Sequence, residues 1–136
     1  MNLYYRIQNT ISDFWYDFCR RCQRFKRGWS YGDVWDIDAW FIRTVKPMLI
    51  HLRDHGIGIP SELYVDGENE RVNWENILTE MVGCLELMDE NVAREHLGIL
   101  DSDYSFESYK KARDLMEENK DRFFELFSKY FFALWD

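Results

Sequence analysis

Apolar side chains recur at helical spacing along most of the chain. Ile7, Ile11, Phe14, Phe18, Cys22 and Phe25 share one face of a long amphipathic helix predicted over about residues 3–26. Arg20, Arg21, Arg24, Lys26 and Arg27 crowd its far end, where cations suit the negative pole of the helix dipole, and Gly28 is a natural stop. Ser30 and Asp33 then read as a capping box: Ser30 accepts from a free backbone N–H and Asp33 reaches back. The helix they open carries Val34, Ile37, Phe41, Val45 and Leu49 inward. Pro47 has no N–H and clashes with the carbonyl four residues earlier, so a kink or break is predicted near residues 43–46. The pattern resumes through Leu52 and ends at His55-Gly56.

Residues 56–72 are the main irregular stretch, punctuated by Pro60 and an Asp66-Gly67 turn signal. A short hairpin over Leu63–Val72 is the weaker alternative there. A third helix is predicted over about residues 73–95, with Asn73 as cap and Trp74, Ile77, Leu78, Met81, Leu85 and Met88 as its stripe; His96-Leu97-Gly98 closes it. Ser105 caps a last long segment marked by Phe106, Tyr109, Phe123, Phe127, Tyr130 and Phe131, which a break at Asn119–Lys120 divides in two. Long stripes of this period and only two prolines point to an all-α protein. The expected architecture is a single-domain helical bundle over residues 1–136, with about four to five helices and one irregular loop near 56–72.

Composition narrows the function classes. The 136 residues carry a net charge of −8, which disfavours direct electrostatic binding of nucleic acid by the whole molecule. The charge is uneven: +4 over residues 1–30, −1 over 31–60 and −11 over 61–136. No stretch reaches the roughly 18–20 apolar residues of a membrane span, and the first residues do not read as a signal peptide. A reducing cytoplasm is the expected setting. The three cysteines agree with it, an odd number being a poor disulfide framework. Cys19 and Cys22 form a C-x-x-C pair inside a helical pattern, with no second pair beside it; one thiol in the core and one at its edge is the preferred reading.

Catalytic and cofactor signatures are sparse. His51 and His55 have the spacing of two metal ligands on one helix face, but Leu52 stands where a zincin has its Glu, and no third ligand can be named. Asp33, Asp36 and Asp38 read as partners of a helix N-terminus. There is no Gly-rich phosphate loop, nucleophile elbow or Cys/His nucleophile pair. The expectation is a protein that is not an enzyme and has no metal or cofactor.

The distinctive segment runs from Arg24 to Lys46. In it Trp29, Tyr31, Trp35 and Trp40 are interleaved with Arg24, Lys26, Arg27, Arg43 and Lys46. Aromatic faces with guanidinium groups can sandwich a base and hold its phosphates, and Asp38 or Asp36 can accept from a base edge or ribose hydroxyl. Alternatively the tryptophans are core anchors with their N–H groups bonded to Asp; Trp35 is read that way, and Trp29 and Tyr31 as exposed. The candidate ligand-binding set is Arg24, Arg27, Trp29, Tyr31, Asp33, Asp38, Arg43 and Lys46.

The pattern R-G-W-S-x-x-D-x-W-x-I-D is carried by Arg27, Gly28, Trp29, Ser30, Asp33, Trp35, Ile37 and Asp38. With Pro47, Leu49, Pro60, Trp74, Leu78 and Met81, it resembles a family of small tailed-phage proteins over about residues 24–85. The resemblance implies a phage origin and a host-cytoplasm setting, not a reaction. Small phage proteins of this kind often bind something of the host, by analogy. The favoured reading is counter-defence by sequestration of an anionic, nucleotide-like ligand. The alternatives are an acidic DNA-mimic inhibitor of a host defence protein, through Glu86, Asp89, Glu90, Glu117, Glu118 and neighbours, and a structural or scaffolding protein that buries its aromatic C-terminal segment by self-association. A homo-oligomer is compatible with all three.

Overall fold

The computed structural model describes residues 3–64 and 70–135, with side chains from residue 13 onward. It is all-α: α1 spans Leu3–Arg27, α2 Ile37–His55, α3 Glu70–Leu87, α4 Glu90–His96 and α5 Phe106–Lys129. Short 3-10 turns lie at Tyr31–Val34, Ser61–Leu63 and Phe131–Ala133. No strand occurs among the described residues. Ile7 and Ile11 of the predicted stripe, and the Asp66-Gly67 turn, lie outside the described side chains and residues.

The chain divides into two compact units, residues 1–43 and 44–136. The division falls inside α2, at Arg43. This is the residue to whose carbonyl Pro47 has no N–H to offer. The helix runs through Pro47 without the predicted break.

The second unit has a conventional apolar core. α3 packs on α5, and α4 packs on both. Trp74, Leu78, Met81 and Leu85 line the inner face of α3, and each is at most 1% exposed. Facing them, α5 contributes Ala112, Phe123 and Leu126, and Tyr130 follows at its end. Trp74 meets Tyr130 edge to face, with ring centroids 5.5 Å apart. Leu49 and Leu52 are the buried residues of α2.

Three helix boundaries differ from the periodicity. α3 begins at Glu70, so Asn73 lies inside it rather than capping it. The predicted 73–95 helix is two helices, because the Asp89 carboxylate accepts from the N–H groups of Asn91 and Val92 and starts α4 afresh. α5 is unbroken at Asn119–Lys120: Asn119 donates to the Leu115 carbonyl at 2.9 Å, and Lys120 pairs with Glu117 and Asp121 on its own helix. Ser105 caps α5 as the sequence predicts, accepting from the Ser108 N–H.

The first unit is built differently. Phe14, Phe18 and Phe25, on the predicted inward face of α1, are 73%, 50% and 96% exposed. Cys22, Val34 and Ile37 are exposed as well. A unit of 43 residues has too little chain to cover such a face. Among its described side chains the buried ones are polar: Ser30 and Asp33. What organises it is the ion-pair network around Asp33.

Candidate ligand site

Gly28 ends α1 at φ +80°, a conformation that costs a residue without Cβ little. The chain then turns so that Ser30 and Asp33 close on each other. The Asp33 carboxylate accepts from the Ser30 N–H at 2.7 Å and from the Ser30 hydroxyl at 2.8 Å. Both halves of the predicted capping box are therefore present, but they open the 3-10 turn Tyr31–Val34 and not an α-helix.

Two arginines complete the shell of Asp33. Arg24 grips it with two N–H groups, Nε at 3.0 Å and Nη2 at 2.6 Å. Arg43, from the first turns of α2, adds a third guanidinium contact at 3.1 Å. The Arg24 hydrogen bond is the largest influence holding the Asp33 carboxyl well below the usual carboxylate range, and the two Ser30 bonds act in the same direction. The same hydrogen bond raises the Arg24 pKa. Asp33 is buried, whereas the side chains of Arg24 and Arg43 are 47% and 61% exposed. Their outer edges face solvent.

A second cluster adjoins the first. The Arg27 guanidinium lies 3.9 Å from the Trp29 ring and 4.3 Å from the Tyr31 ring, and the two rings meet edge to face. Gln23 ties the cluster together, accepting from Arg27 at 3.3 Å and from the Tyr31 N–H at 2.9 Å. Trp29 also lines an apolar pocket of about 240 Å³ with Asp33, Val34, Ile37 and Trp40. Trp40 is held by its indole N–H, which donates to the Gly28 carbonyl at 3.3 Å and not to an aspartate.

Six of the eight candidate residues are thus brought together in the first unit: Arg24, Arg27, Trp29, Tyr31, Asp33 and Arg43. Asp38 lies exposed in the first turn of α2. Lys46 belongs to the second unit, where it pairs with Glu86 at 3.4 Å. Trp35 is 88% exposed and is no core anchor; the 3-10 turn ahead of it places it at the surface. Trp40, Val34 and Ile37 are additions to the candidate set. The capping-box spacing of Ser30 and Asp33 is the signal that Asp33 is held in a turn.

The second unit carries a separate apolar groove of about 620 Å³, lined by Val45, Pro47, Met48, Leu49, His51 and Leu52 from α2 and by Phe127, Phe131, Leu134 and Trp135 from the C-terminal segment. Its acidic helices carry many of their own cations. Arg122 pairs with Glu80 and Glu125, Arg113 with Glu117, and Lys111 with Glu107.

No protein-family model matches the chain, and neither a curated protein sequence nor a solved structure matches it significantly.

Proposed function

We propose that the chain is a non-catalytic phage accessory protein that captures an anionic, nucleotide-like ligand in its first unit, as a counter-defence measure in the host cytoplasm. The observation that carries this reading is the apolar pocket between Trp29 and Trp40, bordered by the Arg27 cluster and the Arg24–Asp33–Arg43 fork. A pocket of about 240 Å³ has room for one planar base but little more. Tryptophan walls offer stacking. Asp33 neutralises one charge of the fork and in exchange orients both guanidinium groups, whose outer N–H groups remain for phosphate oxygens. The ligand reading therefore rests on Trp29, Trp40, Tyr31 and Arg27, with Arg24 and Arg43 as pre-set secondary donors.

Calorimetric titration of the full chain with adenosine and guanosine mono- and diphosphates tests this. Trp40→Ala and Arg27→Ala are each expected to weaken binding at least about tenfold, the cost of a lost stacking or charge-assisted contact, with helix content unchanged. Equal affinity of both variants and the parent would overturn the assignment.

A second reading is favoured by the groove of the second unit. Phe132 and Trp135 are 91% and 64% exposed, and the segment that carries them also forms one groove wall. Wall and plug from one segment make a self-complementary surface, which suits a second copy of this chain. Under this reading the protein is a self-assembling, scaffolding-type component. Sedimentation velocity is expected to show a dimer that Phe132→Glu with Trp135→Glu converts to monomer. A parent chain that is monomeric at high micromolar concentration rejects it.

A further inference from the structure

The two histidines of α2 are not absorbed by either reading. His51 and His55 stand one helical turn apart and are exposed, and their rings lie nearly parallel with centroids 4.6 Å apart. The His55 Nδ1 lies 3.3 Å from the His51 backbone carbonyl. A carbonyl oxygen only accepts, so this Nδ1 carries the proton in the neutral ring, and Nε2 keeps its lone pair. A metal-ligating histidine is usually oriented by such a bond from its other nitrogen to a backbone carbonyl. The neighbouring carboxylate, Asp54, is already engaged by Arg53 at 2.7 Å and 3.4 Å.

We propose that His51 and His55, once one ring turns out of this stack so that each aims a nitrogen at the same point, form a two-imidazole chelate for a divalent ion of the zinc, nickel or copper class. The chemistry selects that class: neutral imidazole nitrogens suit these ions, whereas calcium and magnesium require oxygen. Among the described residues no group of three or more ligating side chains surrounds the pair. The ion therefore keeps open positions, filled by water or by a donor from a second molecule. His51 also lines the apolar groove, so the ion sits at the groove's edge.

Cys19 and Cys22 are free thiols and compete for the same ions. The test therefore uses the full chain with Cys19→Ser and Cys22→Ser, titrated with zinc chloride and followed by calorimetry and by the histidine ring signals in NMR. One equivalent is expected to bind, shifting the His51 and His55 resonances together. His55→Ala is expected to weaken binding at least about tenfold, because the second imidazole no longer binds intramolecularly; His96→Ala is expected to leave it unchanged. Both His51 and His55 are exposed, and circular dichroism of each variant reports whether the helix is intact. Binding unaffected by His55→Ala, or absent once the thiols are removed, overturns the proposal.

Discussion

Replacing Phe123 by alanine is expected to cost the second unit about 3–5 kcal/mol, the range for deleting a fully buried aromatic ring. Phe123 is 0% exposed, in the C-terminal half of α5, and its ring centroid lies 5.3 Å from that of Phe127 and 5.2 Å from that of Phe124. On α3, the helix that packs against α5, Leu78, Met81 and Leu85 are also fully buried. Such a wall relaxes only partly into the space left, so both transfer free energy and a cavity cost are incurred. Domains of this size are stable by about 5–15 kcal/mol, so the loss removes a large share of the total. Denaturant unfolding followed by far-ultraviolet circular dichroism measures it. Phe124→Ala is the matched control, because that neighbouring ring is 44% exposed. A Phe123→Ala cost no greater than that of Phe124→Ala would mean the α3–α5 core is not centred there.

The second unit was largely readable from periodicity because its stripes find partners. Trp74, Leu78, Met81 and Leu85 recur at helical steps, and an adjacent long helix supplies a facing stripe that covers them. The α1 stripe has the same spacing and the opposite outcome. Periodicity says which side chains share a face; it does not say whether the chain has enough material to cover that face, and Phe25 stays almost fully exposed. Local side-chain hydrogen bonds account for the shifted boundaries. Asp89 restarts a helix where the apolar pattern continues, and Asn119 satisfies a helical carbonyl where its type suggests a break.

The candidate site was legible as a set of residue types but not as an arrangement. Arg24, Arg27, Arg43 and Lys46 look equivalent in a list of cations. The structure separates them: two bind Asp33, one stacks on aromatic rings, and one pairs with Glu86 in the other unit. Asp33 lines the apolar pocket and is also the anchor that aims the arginines. The hint was its distance of three residues from Ser30. Trp40 belongs to the distinctive aromatic segment but not to the predicted binding set, because nothing in its neighbours' identities shows that its N–H reaches back to the Gly28 carbonyl.

Asp33→Ala is expected to dismantle the first unit while leaving the second intact. The substitution removes the acceptor of five hydrogen bonds, from Arg24, Arg43 and Ser30. Arg24 and Arg43 then repel each other with no carboxylate between them, and the Ser30 N–H and hydroxyl lose their partner in a buried position. Among the described side chains of this unit no apolar one is buried to compensate. Hydrogen exchange of residues 28–36 is expected to accelerate by at least about tenfold, as for loss of a local cooperative unit, while α3 and α5 amides keep their rates. Affinity for the nucleotide probes falls with it, because Trp29 and Trp40 lose their common frame.

The same network predicts a pH dependence with a definite sign. The Asp33 carboxyl is held below its ordinary range in the folded chain, chiefly by Arg24. The unfolded chain therefore binds the proton first, and the stabilisation is full above about pH 4, the ordinary range of a free aspartate. It is lost as pH falls from there through the lower folded value. The indole N–H resonance of Trp40, bonded to the Gly28 carbonyl, reports on this directly. In the parent chain it is expected to hold its shift from neutral pH down to about pH 4 and to move below that; in Asp33→Ala it is expected to be displaced already at neutral pH. A parent titration that the substitution leaves unchanged would show that Asp33 does not hold the unit together.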